Sequence, residues 1–525
     1  MSVTENFEYG KDNLASKYTY PSGKTATYTY DGILRRNTAV VNTDTPINIQ
    51  YVYRMSNRGG QARTTKIGWE HINNYIYGYE YDANGNITCI MCKKGTDTAY
   101  VKQQQFAYDE LNQLIRADDL AKNRTEVYTY DNGGNILSVK TYPLTWGSLN
   151  GVTATDTTSF GYSDSNWKDK LTSIGDQPVT YDEIGNPLSY RHYTLTWQNG
   201  RQLASLQLMQ LKINYTYDVD GLRTSKSVPN IDLEHKYYYV GSRLQYEDRG
   251  NGNALWYFYD ADGTPSGIRY RNNGGVVSDY YFVCNWRGDV IQIYNAAGEL
   301  VSTYDYDAWG NVTAHETDKD TYGITNINPI RYRGYYYDTE TGMYYLKSRY
   351  YDPAVKRFLN ADDSDILQEE QNCLLQYNLY TYCFNNPANM NDDEGERSLT
   401  LKKKAASLGV TLGILLIALK LLGVAATPYI AIGVIAFAVG YLGYRVYKSA
   451  KGQKAKKKTA KKSGKEKASD APDWAKREKY NSKKSADRNA RDVLDKKYGK
   501  GNYKTGPNSE YSKIKKWLQR SKGYK

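Results

Sequence analysis

Tyrosine alternates with other residues in short stretches that recur along most of the chain. Each stretch leads into Asp, continues through a short run rich in Gly and Asn, and then reaches an aliphatic residue. Because successive side chains of a β-strand point to opposite faces, Tyr-x-Tyr places two rings on one face. Copies of the pattern occupy Tyr28–Asn37, Tyr79–Ile87, Phe106–Leu114, Tyr128–Leu137, Val179–Tyr190, Tyr215–Arg223, Phe258–Gly267 and Tyr304–Val312. The repetition predicts a stack of antiparallel hairpins and a mainly β fold.

The residues between the predicted strands are suited to tight reversals. Asp can accept hydrogen bonds from backbone amides at the start of a turn, and we expect Gly followed by Asn to supply the positive φ values of the reversal. Stacked hairpins then pair their rings across strands, and each good pair contributes roughly 0.2–1 kcal/mol. The 55 Tyr and 44 Gly residues, against 8 Phe, agree with this interpretation.

The cysteines do not indicate a disulfide framework or a metal site. There are 5 of them in 525 residues, an odd and sparse set. Cys89 and Cys92 form a single C-x-x-C pair with no second pair or nearby His, which favours small strand residues over a zinc ligand set. The sequence therefore predicts no metal and no cofactor.

A long apolar segment follows the repeats, over residues 405–447. Its second half, from Leu421 to Tyr444, carries no charge and is long enough to cross a hydrocarbon core of about 30 Å. We expect a hydrophobic helical hairpin with a bend near Pro428, inserted in a membrane. A hairpin buried inside the protein is the alternative.

The net charge of +12 is unevenly distributed along the chain. Residues 448–525 contain 27 Lys and Arg against 8 Asp and Glu, so the preceding part is acidic. A strongly basic C-terminal region indicates a polyanionic partner, either nucleic acid or an anionic membrane. The lysine-rich stretch 448–469 is itself typical of a solvated linker.

Two helices are predicted beyond that linker. Ser485 can cap the first helix, whose apolar face includes Leu494, and Gly499 can end it. Ser509 can cap the second helix, in which Ile514 and Leu518 face inward and Trp517 lies at the border. A small basic α-helical domain is therefore expected over residues 470–525.

This C-terminal domain contains no histidine, since the four His residues of the chain are His71, His192, His235 and His315. Histidine-dependent nuclease mechanisms are thereby excluded for the domain acting alone. Phosphate contacts and base stacking by basic and aromatic side chains would suit RNA. The candidate catalytic residues are Glu510, Lys513, Lys516 and Arg520, and the candidate nucleic-acid-binding residues are Arg491, Lys504 and Trp517.

Two longer motifs identify a resemblance to a known family. They read RYRGYYYDTETGMYYLKSRYYDPAVKRFLNADD from Arg331 to Asp363 and NLYTYCFNNPANMNDDEG from Asn378 to Gly395. Together with the repeats, they resemble the RHS/YD-repeat polymorphic toxins. The resemblance implies hairpins that wind as a spiralling sheet and close into a shell, with an RHS repeat-associated core ahead of a variable effector.

The resemblance also suggests a division of the chain. We expect YD repeats over 1–330, the RHS-associated core over 331–395, a linker over 396–404, the hydrophobic hairpin over 405–447, a Lys-rich linker over 448–469 and a toxin-like domain over 470–525.

In shell-forming relatives, a D-P-x-G motif at the end of the core belongs to an aspartyl self-cleavage site. The matching stretch here runs from Asp392 to Gly395, and the other acidic element is Asp362 with Asp363. This chain departs from the motif, because Asp393 replaces Pro and Glu396 follows Gly395. The resemblance implies self-cleavage by these acids, and a structural role for them as turn residues is the alternative.

The expected function is that of a shell carrying a small basic nuclease toxin used in intercellular competition. A membrane-permeabilising hairpin, or a cell-surface YD-repeat fragment without enzymatic activity, are the alternatives. The expected partners are target-cell RNA, a membrane contacted through 405–447, a small acidic immunity protein and upstream shell segments. We expect a secreted or cell-surface protein, although no signal peptide is predicted at the start of this sequence.

Overall fold

A computed structural model describes residues 5–10, 12–58, 61–363, 374–392, 395, 399–400, 471–481, 483–505 and 509–521. The chain divides into two compact units, Met1–Ile414 and Leu415–Lys525. Among the described residues, the first unit (the β unit) consists mainly of β-strands, and the second (the small unit) contains helices.

The first large sheet has 15 strands, paired in chain order. They are β1 (Asn6–Tyr9), β2 (Ala15–Thr19), β3 (Thr25–Tyr30), β4 (Arg36–Asn42), β5 (Ile47–Arg58), β6 (Gln61–Ile72), β7 (Tyr75–Tyr81), β8 (Ile87–Lys94), β9 (Val101–Tyr108), β10 (Leu114–Asp119), β11 (Arg124–Tyr130), β12 (Ile136–Pro143), β13 (Asp156–Gly161), β14 (Ser173–Ile174) and β15 (Gln177–Pro178).

The second large sheet has 14 strands, again in chain order. They are β16 (Thr180–Tyr181), β17 (Pro187–Tyr190), β18 (Tyr193–Gln198), β19 (Gln202–Leu208), β20 (Leu211–Tyr217), β21 (Arg223–Val228), β22 (Leu233–Val240), β23 (Arg243–Asp248), β24 (Ala254–Tyr259), β25 (Pro265–Arg271), β26 (Val277–Cys284), β27 (Val290–Asn295), β28 (Leu300–Tyr306) and β29 (Val312–Glu316). The mainly β fold of consecutive antiparallel hairpins is thus confirmed.

The aspartate after each Tyr-x-Tyr stretch fixes the turn that follows it. Asp131 Oδ1 accepts hydrogen bonds from the backbone amides of Gly133 and Asn135, both at 2.9 Å. Its Oδ2 accepts from Asn135 Nδ2 at 2.9 Å. The turns that begin at Asp82, Asp182 and Asp307 repeat the bonds from the amide and the side chain of the Asn four residues later.

One expectation about these turns was wrong. The positive φ falls on a single residue, three positions after the aspartate, such as Gly134 at +78° or Asn112 at +62°. The Asn that follows Gly134 bonds the aspartate with its side chain instead. The hairpin therefore closes as a turn with a one-residue bulge, next to Tyr130 in this copy.

In several copies, the tyrosine immediately before the aspartate joins its hairpin to the previous one. Its hydroxyl donates to a backbone carbonyl at or near the beginning of the preceding strand. The bonds include Tyr108 to Ile87 O (2.7 Å), Tyr130 to Leu114 O (2.5 Å), Tyr259 to Leu244 O (2.8 Å) and Tyr306 to Val290 O (2.7 Å). These carbonyls lie where the bulges interrupt the regular ladder, so the tyrosine satisfies a group that the sheet leaves open.

The segment after the repeats packs into the same core. It contains α1 (Ile324–Ile327), a four-stranded sheet and a two-stranded one. Their strands are β30 (Tyr336–Asp338), β31 (Met343–Tyr345), β32 (Tyr350–Asp352), β33 (Arg357–Phe358), β34 (Met390–Asn391) and β35 (Leu399–Thr400).

Asparagines of this segment bind the turns of successive hairpins. Asn378 Nδ2 donates to Gly133 O at 3.1 Å and Asn385 Nδ2 donates to Gly134 O at 2.7 Å. Asn386 Nδ2 bonds Asn86 Oδ1 at 3.0 Å. Asparagines of the motif that identified the RHS-associated core therefore form hydrogen bonds with the repeated turns of the first sheet.

A buried ion pair attaches the second sheet to the same segment. Arg223, with 1% of its side chain exposed, donates to Asp338 Oδ2 at 2.6 Å, and Lys226 Nζ donates to Asp338 Oδ1 at 3.1 Å. Rings of Tyr237 and Tyr345 lie 4.8 and 4.4 Å from the guanidinium carbon. The aromatic cage and the shared carboxylate compensate for the desolvation of both cations.

The small unit has three described helices, α2 (Asp473–Lys476), α3 (Ala486–Tyr498) and α4 (Glu510–Ser521). Ser485 Oγ caps α3 by accepting from the amide of Arg488, and Gly499 follows its last residue. Ala490 and Leu494 of α3 pack against Ile514 and Leu518 of α4 in a small apolar core.

The predicted hydrophobic hairpin, 405–447, and the Lys-rich linker, 448–469, lie outside the described residues. Within the part of the chain that the structure does describe, no helix is both long and apolar enough to cross a membrane.

Removal of one tyrosine hydroxyl should measurably weaken the joined hairpins. Tyr306→Phe leaves the buried carbonyl of Val290 without its donor, so we expect the free energy of unfolding to fall by about 1–2 kcal/mol. Urea unfolding followed by circular dichroism measures the loss. Tyr238→Phe is the control, because Tyr238 is half exposed. Equal effects of the two changes would contradict the structural role of the hydroxyl.

Glu70 on β6 should make the β unit less stable as pH rises. Burial raises the pKa of Glu70 to about 8 from 4.5, although Tyr79 OH donates to it at 2.9 Å. The folded state therefore holds a proton that the unfolded state releases, and stability is lost between about pH 4.5 and about pH 8.

Glu70→Gln should remove this dependence, since Gln keeps the shape and cannot ionise. Near pH 4 the melting temperatures of variant and wild type should agree, whereas near pH 8 the variant should be more stable by a few kcal/mol, on the order of 1.4 per pKa unit. Glu80→Gln, at an exposed position of β7, is the matched control. A constant difference at both pH values would contradict the prediction.

Candidate functional site

Arg349 gathers two aspartates and a glycine carbonyl at the end of the β unit. It lies between β31 and β32, is buried, and stacks its guanidinium 3.5 Å from the centre of the Phe358 ring. One of its terminal nitrogens lies 2.9 Å from Asp362 Oδ2 and 3.4 Å from Asp392 Oδ2. Its Nε donates to the carbonyl of Gly395.

Gly395 is held in a conformation that suits glycine. Its φ is +73°, and a Cβ there would lie 2.7 Å from Ser348 Oγ and 2.9 Å from Leu346 O. Its amide donates to Asp392 Oδ1 at 2.9 Å, and the amide of Asp392 donates to Tyr335 OH at 2.9 Å. Both the aspartate and the glycine are therefore fixed relative to Arg349.

The structure brings together two of the three predicted acids. Asp362 and Asp392 are buried and meet at Arg349, whereas Asp363 is exposed, and its backbone amide donates to Asp362 Oδ1 at 2.8 Å. Asp393 and Glu396 lie outside the described residues. Two carboxylates beside a polarised carbonyl form an arrangement that can carry out acid–base hydrolysis.

Arg349 was missed by the sequence reasoning. It lies within the RHS-core motif, 13 positions before Asp362 and 43 before Asp392. An arginine in a strand-rich, tyrosine-rich stretch gives no signal of its own, because only the folded chain places it between the two acids.

The candidate residues of the small unit differ in how exposed they are to solvent. Lys504, Lys516 and Arg491 are exposed, while Glu510 and Lys513 are half-buried. The side chain of Arg520 lies outside the described part of the chain.

Trp517 does not occupy the exposed position that base stacking needs. Its side chain is 7% exposed, and it packs in the apolar core with its ring 5.8 Å from that of Tyr480. Trp517 therefore has a packing role in this structure, because the inward face of α4 is wider than the stripe predicted from Ile514 and Leu518.

A second group of polar side chains joins α3 to α4. Asp487 accepts hydrogen bonds from Lys515 Nζ at 2.6 Å, from Arg491 Nε at 3.0 Å and from the hydroxyl of Tyr511. These donors hold the pKa of Asp487 well below its usual range. The sequence reasoning had noted Arg491 but not Asp487 or Lys515. The four-residue spacing of Asp487 and Arg491, and of Tyr511 and Lys515, was the available signal.

Where the structure describes the chain, no group of three or more His, Cys, Asp or Glu side chains is arranged to hold a metal ion.

Comparison with known proteins identifies the family of the β unit. The family model described as the teneurin YD-shell matches residues 37–388, more than half of the chain. The chain belongs to the teneurin YD-shell family. The matched range includes Arg349 and Asp362 but ends before Asp392 and before the small unit.

Curated relatives are similar in sequence to part of this YD-shell chain. It is 34% identical over 300 residues to the tRNA3(Ser)-specific nuclease WapA of Bacillus spizizenii and 32% identical over 300 residues to the tRNA nuclease WapA of Bacillus subtilis. Each match covers 55% of this chain and 12% of the relative. The double-stranded DNA deaminase toxin A of Burkholderia cenocepacia is 25% identical over 315 residues, covering 54% of this chain and 20% of the relative.

Solved structures show the same fold. The crystal structure of TcdB2-TccC3-Cdc42 matches with a TM-score of 0.52 at 18% identity, covering 78% of this chain and 22% of that one. With the YD-shell match, these relatives confirm the resemblance to RHS/YD-repeat proteins that the sequence motifs indicated. The chain spans about an eighth of the length of the two WapA relatives and 22% of the chain in the TcdB2-TccC3-Cdc42 structure.

Proposed function

We propose that this protein is a YD-shell that carries a C-terminal toxin, and that the small basic unit cleaves RNA in competing cells. The observation that carries the proposal is a separate, strongly basic helical unit with its own apolar core, placed in the chain after a YD-shell. Family members of this kind include proteins named as tRNA nucleases.

The surface of the small unit suits a polyanion. Lys504, Lys516 and Arg491 offer exposed positive charge, which favours phosphate contacts. Lys513 and Glu510, half-buried on α4, are the candidates from the sequence for stabilising charge on phosphorus and for accepting a proton. Trp517 is left out of the RNA-binding set because it belongs to the core.

The proposal includes a place of action and partners. The protein acts outside the producing cell, and its apolar segment, 405–447, contacts the target membrane. Upstream shell segments complete the shell, and a small acidic immunity protein neutralises the basic unit by charge complementarity.

Production of the full chain inside a bacterial cell should arrest growth and fragment its RNA, whereas a chain that ends at residue 469 should do neither. Lys513→Ala and Glu510→Gln should each relieve the arrest if they take part in the reaction. Growth curves and gel analysis of total RNA measure both effects. Intact RNA in arrested cells would contradict the nuclease function, and membrane depolarisation by the shortened chain would favour a membrane-permeabilising hairpin instead.

A second activity is favoured by the geometry around Arg349: cleavage of the bond after Gly395, which would release the C-terminal part of the chain. One of the paired acids, Asp362 or Asp392, would activate a water molecule for attack on the Gly395 carbonyl. Arg349 would stabilise the resulting oxyanion. The other acid, in its protonated form, would donate a proton to the departing amine of Glu396. Water is consumed, and a new carboxyl group and a new amine are formed.

Purified wild-type protein should therefore separate into two pieces in a denaturing gel, with a mass that places the new C-terminus at Gly395. Asp392→Asn and Asp362→Asn should each leave the chain intact, because each removes one member of the acid pair. Asp363→Asn is the matched control, since that neighbouring acid is exposed, and it should cleave like wild type. An intact wild-type chain would assign both buried acids a structural role only.

A further inference from the structure

Four different chemical groups converge between α3 and α4 of the small unit. Asp487 and Arg491 lie one helical turn apart on α3, and Tyr511 and Lys515 lie one turn apart on α4. All three of the other side chains donate to Asp487. Arg491 also donates to the hydroxyl of Tyr511 at 3.3 Å.

We infer that Asp487, Arg491, Tyr511 and Lys515 form the site at which the small unit binds and cleaves an RNA phosphodiester. This inference rests on the proposed nuclease function and names its reacting groups. The reacting groups are then the four residues at the junction of α3 and α4, instead of the candidates Lys513 and Lys516 on the flank of α4.

Three of these four side chains can be reached by a substrate, and the fourth, Tyr511, has a buried ring. The side chains of Asp487, Arg491 and Lys515 are 37%, 44% and 35% exposed. Exposed ion pairs contribute little to stability, so packing of α3 against α4 does not need three donors on one carboxylate. Other acids of the unit have simpler surroundings: Glu478, for example, pairs with Lys496 at 3.1 Å.

The two cations of the cluster match a phosphate group. Arg491 and Lys515 both face the same carboxylate, so an RNA phosphate that replaces it would meet two charge-assisted donors at once. Tyr503 lies beside them with its ring 6.5 Å from that of Tyr511 and nearly parallel to it, and it is half-exposed.

The hydrogen bond between Asp487 and Tyr511 provides a complete path for the proton. Asp487 accepts the proton of the ribose 2′-hydroxyl, whose oxygen forms a bond to phosphorus while the bond from phosphorus to the 5′-oxygen breaks. Tyr511 donates its hydroxyl proton to that leaving oxygen, and the proton on Asp487 then passes to Tyr511. The products are a 2′,3′-cyclic phosphate and a free 5′-hydroxyl, with no other reagent consumed.

The cations also control the basicity of the acid. Lys515, Tyr511 and Arg491 hold the pKa of Asp487 low in the free protein, so that the carboxylate is ionised. When Arg491 and Lys515 turn to the phosphate, their hydrogen bonds to the carboxylate are lost and Asp487 becomes a stronger base.

The test uses the full-length protein and total bacterial tRNA as the probe. Tyr511→Phe and Asp487→Asn should each lower kcat by about 100-fold or more with little change in KM, since both act in proton transfer. Lys515→Met should raise KM as well, because it removes a phosphate contact. Cleaved wild-type products should end in a 2′,3′-cyclic phosphate, which mass spectrometry detects.

Asp492→Asn is the matched control. Asp492 lies on the same helix and is 38% exposed, and it pairs with Lys484 at 2.6 Å. It should retain wild-type kcat and KM, and circular dichroism should show equal helix content in all variants. If Asp487→Asn loses helix, Tyr511→Phe decides the outcome, because it removes one oxygen and keeps the buried ring.

The outcomes separate the inference from the function on which it rests. If wild-type protein leaves tRNA intact, the nuclease function itself is wrong. If wild type cleaves tRNA while Tyr511→Phe retains kcat within about two-fold, the nuclease stands and this site is overturned. If Asp492→Asn lowers kcat as much as Asp487→Asn does, the inference is also overturned, because the cluster would then only stabilise the packing of the helices.

Discussion

The hydrogen bonds of one aspartate, repeated along the chain, are the constraint on which the shell depends. In each copy the carboxylate accepts backbone amides two to four residues ahead and fixes a bulged turn. The bulge displaces a carbonyl from the regular ladder, and in several copies the tyrosine of the next copy donates to it. The Tyr-Asp pair thus closes its own hairpin and joins it to the preceding one.

The same turns serve as attachment points for the segment that follows the repeats. Asn378 and Asn385 donate to the turn carbonyls of Gly133 and Gly134. The Arg223–Asp338 pair fixes the second sheet to this segment in a similar way. Because the segment is bound to both sheets, the acids and Arg349 within it are held by much of the β unit and not by local structure alone.

Both candidate sites are held together by attraction between opposite charges, one in a buried environment and the other in an accessible one. Around Arg349 a buried cation draws two carboxylates together beside a backbone carbonyl, in a dry environment where their charges interact strongly. Around Asp487 an exposed carboxylate draws two cations and a phenol together, where a competing anion can replace it. The first arrangement suits a reaction on the chain itself, and the second suits an external polyanion.

The sequence by itself determined the hairpins, their order and the boundaries of the two helices α3 and α4, because these depend on period, turn residues and caps close together in the chain. It also brought forward Asp362 and Asp392 as a pair through the motifs that contain them. Only the tertiary structure placed Arg349 between those acids and left Asp363 outside. It likewise buried Trp517 and joined Asp487 to Lys515. These outcomes depend on contacts between residues distant in sequence, or on the rotation of one helix relative to the helix it packs against. A local sequence pattern specifies neither the contacts nor the rotation.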